Sequence, residues 1–323
     1  MTSRLLAKTQ QGLGDALGRR IVGRHSHVDL LNTNTLRQKV RNVEFPLRPD
    51  ASNAEKAWTK HQREVTENIL NRDPRKFLSW PDIKHTMFVG QERWVRIELD
   101  YLRSRSDWEN RWKPALKESS VGRPSRFIYY PFSSANLIHH AYQIAKFEEL
   151  AGRQISSYSQ IFEFGGGYGS MCRVAWNLGF RGTYIILDQE PFSSLQSYYL
   201  TSIGLPIDSR VGLEVIEPAI FCTSSFEEAN HAFQKGTDIE GSLYIATWSL
   251  SETPQNIRDL NMNFVTQSGS KLINFQDAFH GIDNLAFFEN FLNNRTETNW
   301  KLWKIDHIPG NHGLVGIPHL SGL

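Results

Sequence analysis

The chain has 323 residues, of which 40% are hydrophobic and 22% charged, and its 36 basic side chains nearly balance 34 acidic ones. This is the composition of a globular protein, and a net charge of only +2 argues against a dedicated nucleic-acid-binding protein. No run approaches the roughly 18 apolar residues of a membrane span. The two cysteines, Cys172 and Cys222, are too few for a disulfide framework or a cysteine metal cluster. We therefore expect a cytoplasmic protein with no transmembrane segment and no nucleic-acid partner.

The first 150 residues lack the alternating pattern of strands and are predicted to be mainly helical. Residues 1–50 are polar and basic, and Pro46 and Pro49 interrupt the chain where they end. Helices are predicted over 51–71, 92–105 and 136–150. We expect residues 1–150 to form a region that covers the active site and contacts the acceptor, with the first 50 or so residues loosely held.

From residue 159 onward, short apolar runs alternate with helical stretches, which indicates a parallel sheet flanked by helices. The runs are 160–164, 183–188, 219–223, 242–248 and 271–276. Two further runs, 300–308 and 312–317, are joined by a Pro-Gly-Asn turn so short that they can only pair antiparallel. Residues 151–323 are therefore predicted to form an α/β domain with a doubly wound, mostly parallel seven-stranded sheet and a C-terminal antiparallel hairpin. Ligands are expected at the carboxyl ends of its strands.

The turn after the first strand reads EFGGGYG over residues 163–169. A phosphate-binding P-loop would need a Lys near its end, and none is present. A dinucleotide fingerprint would need Gly or Ala where Ser170 or Cys172 stands. What fits is Glu163 followed by glycines at every second position, a pattern that resembles the first motif of class I S-adenosylmethionine-dependent methyltransferases.

The residues of this turn suit that cofactor. Glycines let the backbone turn sharply and approach a ligand closely. The Glu163 carboxylate suits a ligand with an ammonium and a sulfonium group, whereas it would repel a pyrophosphate. Asp188 closes the next strand, where an acidic residue can accept both ribose hydroxyls. We therefore predict S-adenosyl-L-methionine as the cofactor.

The predicted cofactor contacts follow the ends of the first four strands. They are Glu163, Gly165, Gly166, Gly167, Tyr168, Gly169, Asp188, Ser224, Ser225, Trp248 and Ser249. For the two serines after the third strand, a plain helix-capping role is an equally good interpretation.

Segments before and after the glycine turn resemble one narrower family of these methyltransferases. LYIATWSLSE (243–252), LINFQDAF (272–279) and HIPGNHGLVG (307–316) resemble the sugar O-methyltransferases of bacterial polysaccharide and natural-product gene clusters. FLSWPDIKHTMFVG (77–90) and SSANLIHHAYQIAKFE (133–148) are similar to the N-terminal region of the same family. The resemblance implies a Rossmann-like methyltransferase fold and methyl transfer to a hydroxyl of a sugar or glycosylated metabolite.

Methyl transfer to a hydroxyl is an in-line displacement that needs alignment of the reactants and removal of the hydroxyl proton. The segment after the fourth strand lacks both the Asn/Asp-Pro-Pro-aromatic turn of nitrogen methylation and a metal-binding Asp, so metal-free O-methyl transfer is predicted. Candidate general bases are His139, His140, Glu252, His280 and His312. Candidate acceptor contacts are Tyr129, Tyr130, Gln276 and Phe279. A helix-start carboxylate is the alternative role for Glu252.

Several alternatives stay open on the sequence. The acceptor could be a non-sugar small molecule or a protein, because acceptor pockets in this fold are built from variable loops. An NAD(P)-dependent oxidoreductase and a non-catalytic partner subunit are further alternatives. The Trp-rich N-terminal extension suggests contacts in a homo-oligomer.

Overall fold

The computed structural model describes residues 9–17, 27–208, 218–235, 238–293 and 298–318, and residues 9–17 are helical. The other helices before the sheet are α1 (His27–Val40), α2 (Asn53–Asn71), α3 (Pro81–Thr86), α4 (Val95–Ser104), α5 (Lys113–Ala115) and α6 (Ala135–Ala151). Shorter helical turns lie at Pro74–Ser79, Trp108–Trp112 and Ile155–Ser157.

The three predicted N-terminal helices correspond to α2, α4 and α6, and local capping explains the ends of two of them. Ser52 and Glu55 form a capping box at the start of α2, in which each side chain accepts the backbone amide of the other residue. The Ser134 side chain accepts a backbone amide at the start of α6, and Gly152 ends that helix with a φ of 65°.

The strands are β1 (Gln160–Phe164), β2 (Thr183–Leu187), β3 (Ala219–Thr223), β4 (Ser242–Thr247), β5 (Ser270–Gln276), β6 (Ala278–Phe279), β7 (Ile282–Asp283), β8 (Thr298–Lys304) and β9 (Asn311–Pro318). The helices among them are α7 (Ser170–Asn177), α8 (Phe192–Ser202), α9 (Phe226–Gln234), α10 (Gln255–Gln267) and α11 (Asn284–Asn293). A 3-10 turn, Ser249–Glu252, follows β4.

Seven strands form one sheet in the order β3-β2-β1-β4-β5-β9-β8. Strands β1 to β5 are parallel, and β9 pairs antiparallel with both β5 and β8. The predicted doubly wound sheet with a C-terminal antiparallel hairpin is therefore confirmed. The strand order reverses between β1 and β4, and ligands of open α/β sheets bind at such a reversal.

Two buried clusters cover the two faces of this sheet. One cluster joins residues of the N-terminal helices, such as Phe77 and Ile138, to sheet residues such as Ile161. The other includes Phe162 of β1, whose ring stacks on that of Phe264 in α10 at a centroid distance of 4.0 Å. The proposed division between residues 150 and 151 falls just before the end of α6, and it stays a prediction because the first cluster spans it.

Two elements differ from the expectations of the sequence. The polar segment before residue 50 contains α1, whose Leu36 and Val40 are buried in the first cluster rather than loosely held. A small two-stranded sheet, β6 with β7, follows the main strand β5. Within the described ranges, no helix has the length and apolar character needed to cross a membrane.

Candidate active site

A cavity of about 430 Å³ lies at the carboxyl ends of β1, β2 and β4, where the strand order reverses. Gly165, Gly166 and Gly167 line it, and two of them have positive φ values, 72° for Gly165 and 59° for Gly167. A Cβ at Gly165 would overlap Ser249, and a Cβ at Gly166 would lie 2.6 Å from Ile186 Cγ2. The turn therefore requires glycine, and its bare backbone faces a space of the size that holds small molecules.

Glu163 is buried at the end of β1 and lines the cavity. The Tyr184 hydroxyl donates a hydrogen bond to Glu163 Oε2 over 2.8 Å. Burial raises the pKa of this carboxyl to about 8, and the hydrogen bond from Tyr184 offsets only part of that rise. No Lys or Arg of the described ranges pairs with Glu163. The ligand-free protein therefore holds Glu163 mostly protonated at pH 7, and a cationic ligand bound beside it would favour the ionised carboxylate.

Asp188 is half-buried directly after β2. Its Oδ2 accepts hydrogen bonds from the Gly167 amide at 3.1 Å and from Gln196 Nε2 at 2.8 Å, and its Oδ1 accepts the Gln189 amide at 2.8 Å. Burial raises the pKa of Asp188 to about 7 against the opposing effect of these donors. The carboxylate is thus held rigidly beside the glycine turn, with one lone pair left on Oδ1 for a ligand hydroxyl.

The N-terminal helical region supplies part of the cavity wall. The lining residues from this region are Trp58, His85, Thr86, Met87, Phe88, Val89, Trp94, Asn136, His139 and His140. Asn136 fastens this wall to the glycine turn, because its Nδ2 donates to the Tyr168 hydroxyl at 2.9 Å and its Oδ1 accepts the Val89 amide at 3.0 Å. The Tyr168 side chain is buried in the core, so the predicted cofactor contact of Tyr168 is limited to its backbone.

His139 is the predicted base with the best-defined orientation. Its Nδ1 lies 2.8 Å from Glu98 Oε1 and 3.0 Å from Oε2, and Glu98 is fully buried on α4. The rings of Trp94 and Trp248 each lie 5.0 Å from the His139 ring between centroids. Burial lowers the pKa of His139 to about 3, so its imidazole is neutral at pH 7. With Nδ1 bound to Glu98, Nε2 is the nitrogen left to meet a ligand.

His140, the next residue of α6, also lines the cavity but is held differently. Its Nδ1 is buried and has no hydrogen-bond partner within the described ranges. Burial, with a smaller contribution from His139, lowers the pKa of His140 to about 3. Without an orienting carboxylate, His140 is the weaker candidate for a general base.

Glu252 lies at the end of the 3-10 turn after β4 and lines the cavity. Gln276 Nε2 donates to Glu252 Oε1 over 3.3 Å. Burial raises the pKa of Glu252 to about 7. Gln276 itself does not line the cavity but contacts Glu252, which does, and its contact with the acceptor stays a prediction.

Trp248 and Ser249 connect β4 to the rest of the site. Trp248 has a φ of 67°, which is strained for a bulky residue, and its Nε1 donates to Asn311 Oδ1 over 2.6 Å. The Ser249 hydroxyl donates to the carbonyl of Phe164 at the end of β1. Ser224, which follows β3, also lines the cavity.

Other predicted site residues lie outside the cavity: Gly169, Ser225, Tyr129, Tyr130, Phe279, His280 and His312. Ser225 caps α9 by accepting the Glu228 amide at 3.2 Å, which is the capping role left open from the sequence. Gly169 precedes α7, where a Cβ would approach Leu200 at 3.0 Å. Gly169 and Ser225 therefore shape the turn before α7 and the start of α9, and they do not form the cavity surface.

The remaining outlying residues have other contacts. His312 Nε2 lies 2.6 Å from Asp277 Oδ1, and its ring stacks on Phe275. Phe279 and His280 belong to the β6–β7 hairpin and pack on each other at 4.5 Å between ring centroids. Arg96 and Arg103 lie over the rings of Tyr129 and Tyr130, each at 5.2 Å. The structure therefore gives none of these side chains a place beside the glycine turn.

Sequence reasoning missed Glu98, His307, Asn136 and Gln196, all of which hold site residues in place. Among the described residues, no group of three or more His, Cys, Asp or Glu side chains has the arrangement of a metal site.

The sequence matches no family model and no curated protein. Among solved structures, the chain is similar to the mitomycin 7-O-methyltransferase MmcR, with 12% identity over 98% of each chain and a TM-score of 0.37. It is also similar to a mutant of MtNAS in complex with S-adenosylmethionine, with 8% identity over 91% of this chain and 99% of that one and a TM-score of 0.38.

A third similar structure is the SAH-bound methyltransferase PaMTH1 of Podospora anserina. Its identity to this chain is 11%, over 72% of this chain and 91% of that one, with a TM-score of 0.34. At these identities and TM-scores, the likeness identifies neither a ligand nor an activity for this chain. None of the comparisons supports the narrower resemblance to sugar O-methyltransferases.

Proposed function

We propose that this chain is an S-adenosylmethionine-dependent O-methyltransferase that methylates a hydroxyl of a sugar or glycosylated metabolite. The observation that carries the proposal is the His139 imidazole, which buried Glu98 holds and which lines the same cavity as the glycine turn. An imidazole oriented by a carboxylate is equipped to act as a general base. A hydroxyl acceptor needs such a base because its proton must leave during methyl transfer.

The proposed cofactor fits three observations at the turn. Gly165 to Gly167 line the cavity with backbone atoms alone, so a ligand can approach the turn closely. Glu163 is a buried carboxylate without a basic partner in the described ranges, which suits the ammonium group of the cofactor. Asp188 is fixed by three donors and keeps one lone pair, on Oδ1, for a ribose hydroxyl.

In this proposal, the residues of the chain orient the reactants and remove the hydroxyl proton of the acceptor. When bound, S-adenosylmethionine supplies an electrophilic methyl group: the new O–C bond forms as the C–S bond breaks, and sulfur keeps that electron pair. His139 Nε2 accepts the hydroxyl proton, and the Glu98 carboxylate stabilises the imidazolium that results. Residues of α2, α3 and α6 line one side of the cavity, and in this proposal they shield the reacting atoms from water.

The charge of the cavity favours an acceptor without phosphate groups. Its described lining includes the carboxylates Glu163, Asp188 and Glu252, and it includes no Lys or Arg. A phosphate in such a place would find no Lys or Arg of the described lining to pair with, and it would be repelled by each of these carboxyl groups that ionises. Glu252 can accept hydrogen bonds from hydroxyl groups, which suits a neutral sugar.

Flat aromatic surfaces also support a sugar ring as the acceptor. Indole rings offer large apolar faces to a ring-shaped ligand while they keep one polar N–H group. The indoles that line the cavity are Trp58, Trp94 and Trp248.

Isothermal titration calorimetry with S-adenosylmethionine tests the cofactor. Wild-type protein is expected to bind it, and Asp188→Ala and Gly167→Arg are expected to bind at least about tenfold more weakly, because each removes or fills part of the site. Asp100→Ala is the matched control, since this exposed carboxylate of α4 lies outside the cavity and its ion pair within the described residues is with Arg103, at 3.8 Å. No binding by the wild type, or full affinity in both variants, would refute the proposal.

Incubation with S-adenosylmethionine and separate pools of neutral glycosides, other small molecules and proteins tests the acceptor. Mass spectrometry is expected to show methyl gain in the glycoside pool. Methyl gain only in another pool would move the assignment to a non-sugar acceptor or a protein. An NAD(P)-dependent oxidoreductase is the competing class, and tighter binding of NADH than of S-adenosylmethionine would favour it.

A further inference from the structure

Glu98 contacts two imidazoles rather than one. His139 Nδ1 lies 2.8 Å from Glu98 Oε1, and His307 Nε2 lies 3.1 Å from the same oxygen. His307 belongs to the turn between β8 and β9, at the far end of the chain from α4. The Trp94 ring packs against both imidazoles, at 5.0 Å from His139 and 6.1 Å from His307.

The protonation of Glu98 decides which nitrogen of His139 carries a proton. An ionised carboxylate can only accept, so both His139 Nδ1 and His307 Nε2 must donate N–H groups to it. His139 Nε2 then has a free lone pair and can take a proton from an acceptor. When Glu98 is protonated on Oε2, the oxygen 3.0 Å from His139 Nδ1, it donates its O–H to that nitrogen while Oε1 still accepts from His307. The proton of His139 is then left on Nε2, which removes the base.

The surroundings push Glu98 toward the protonated form. The carboxyl is fully buried, and burial raises its pKa to about 7. The hydrogen bond and charge of His307 act in the opposite direction. The described titratable groups that act on or with Glu98 are His139 and Tyr142 of α6 and His307 of the β8–β9 turn. Burial raises the pKa of Tyr142 above its usual range, so that phenol stays neutral.

We propose that His307 is a positioning residue that keeps Glu98 ionised and thereby keeps His139 in the Nδ1–H tautomer, with Nε2 free to act as the base. This inference rests on the proposed O-methyl transfer for its functional meaning. The C-terminal hairpin, through one hydrogen bond, would then control whether the base on α6 is competent.

Replacing His307 by Gln or by Asn separates the effect of its hydrogen bond to Glu98 from the effect of its side-chain volume. In His307→Gln, the side-chain amide can reach the place of imidazole Nε2 and donate to Glu98, whereas the shorter amide of His307→Asn cannot. His307→Phe keeps a ring but has no donor. Far-UV circular dichroism and thermal unfolding of each variant report whether the fold is kept.

Nitrogen-15 NMR of histidine-labelled protein reads the tautomer directly, and a spectrum of His139→Gln identifies the His139 signals. In wild type, the proton of His139 is expected on Nδ1 at pH 8 and on Nε2 below the pKa of Glu98. In His307→Asn and His307→Phe, the tautomer of His139 is expected to change at a pH about one unit or more above that of the wild type. In His307→Gln, the pH of this change is expected to return most of the way to the wild-type value. An unchanged transition in folded His307→Asn would overturn the proposal.

A second measurement needs no variant. The carboxyl carbon-13 signal of Glu98 in wild-type protein is expected to titrate at the same pH at which the His139 tautomer changes. Two transitions at different pH values would overturn the proposal. Neither readout uses cofactor or acceptor, so a failure of S-adenosylmethionine binding would refute the proposed function and leave this test intact.

Discussion

The carboxylate of Asp188 accepts a hydrogen bond from the backbone amide of Gly167, with 3.1 Å between Oδ2 and N. This contact ties the end of β2 to the glycine turn that follows β1. The glycine turn and Asp188, which the sequence analysis assigned to one cofactor, therefore form a single structural unit. Asp188 holds the turn and, in the proposed function, also accepts a hydroxyl of the ligand.

Replacing Asp188 by Asn tests the charge of this unit separately from its shape. Asn can still accept the Gly167 amide and Gln196 Nε2 through an oxygen in the place of Oδ2, but its NH₂ group would then face the Gln189 amide, which is itself a donor. We expect S-adenosylmethionine affinity to fall by about 10- to 100-fold, because hydrogen bonds to a charged group contribute about 1.5–3 kcal/mol. Calorimetry measures the affinity, and an affinity equal to that of the wild type would contradict the role given to the charge.

Replacing Glu163 by Gln is expected to stabilise the ligand-free protein at pH 8. The raised pKa of Glu163 means that its protonated form is favoured in the folded state, so stability falls as the pH rises from the usual value of 4.5 to about 8. The neutral amide avoids this loss and can still accept the Tyr184 hydrogen bond. The gain at pH 8 should be on the order of 2–4 kcal/mol.

Urea unfolding at two pH values measures this gain. Near pH 5 the Glu163 carboxyl is already protonated in the folded protein, so Glu163→Gln and wild type should unfold with similar free energies. A gain of equal size at both pH values would show that the variant acts by something other than ionisation. The same variant should bind S-adenosylmethionine more weakly, since it lacks the carboxylate proposed for the ammonium group.

Replacement by alanine is expected to cost more unfolding free energy at Gly165 than at Gly167. In Gly165→Ala, the new methyl would overlap Ser249, so we expect a loss of about 2–4 kcal/mol in unfolding free energy from crowding and positive φ together. In Gly167→Ala, the methyl would lie 3.7 Å from Met87 Cβ, which is an ordinary contact. Its cost should be limited to the positive φ, about 1–2 kcal/mol.

Cofactor affinity distinguishes the same pair of variants from each other. Met87 and Gly167 both line the cavity, so the methyl of Gly167→Ala enters space proposed for the cofactor. Gly167→Ala should therefore keep its fold but lose affinity in calorimetry, while Gly165→Ala should show its defect first in thermal unfolding. Full affinity in folded Gly167→Ala would place the cofactor elsewhere.

The glycine turn and the sheet could be predicted from the sequence because their signals are local. Each strand is a short apolar run, and Glu163 and Asp188 stand where such runs end. Glu98 carries no comparable signal. It is one of several acidic residues in a charged helical segment, and what distinguishes it is complete burial, which depends on long-range packing of α4 against α6 and on the contact with His307.

Long-range pairing explains the other residues that the sequence did not reveal. His307 and Glu98 are separated by 209 positions, and Glu98 and His139 by 41. Tyr129 and Tyr130 lie in a tight turn in which Phe127 pairs with Tyr130, and neither residue lines the cavity. Their contact with an acceptor therefore stays a prediction that the cavity lining does not support.

The candidate bases can be separated by their effect on methyl transfer. His139→Ala should lower the rate with saturating cofactor and acceptor by about 10²- to 10⁴-fold, because it removes the oriented imidazole. His280→Ala and His312→Ala change side chains outside the cavity and should keep rates close to wild type. A large loss in either of these, with no loss in His139→Ala, would move the base to that residue.

The pH dependence of methyl transfer should reveal the ionisation of Glu98. Burial raises the pKa of Glu98 to about 7, and His139 can accept a proton only while Glu98 is ionised. The rate should therefore be highest above pH 7 and fall tenfold for each unit below it, whereas neutral His139, whose pKa lies near 3, adds no change in this range. In Glu98→Gln the rate should be lower by about 10²- to 10⁴-fold and should lose this acid limb. If the fall in rate below pH 7 persists in Glu98→Gln, another carboxyl group must cause it. Burial also raises the pKa of Glu252 to about 7, so Glu252 would be the residue to replace next.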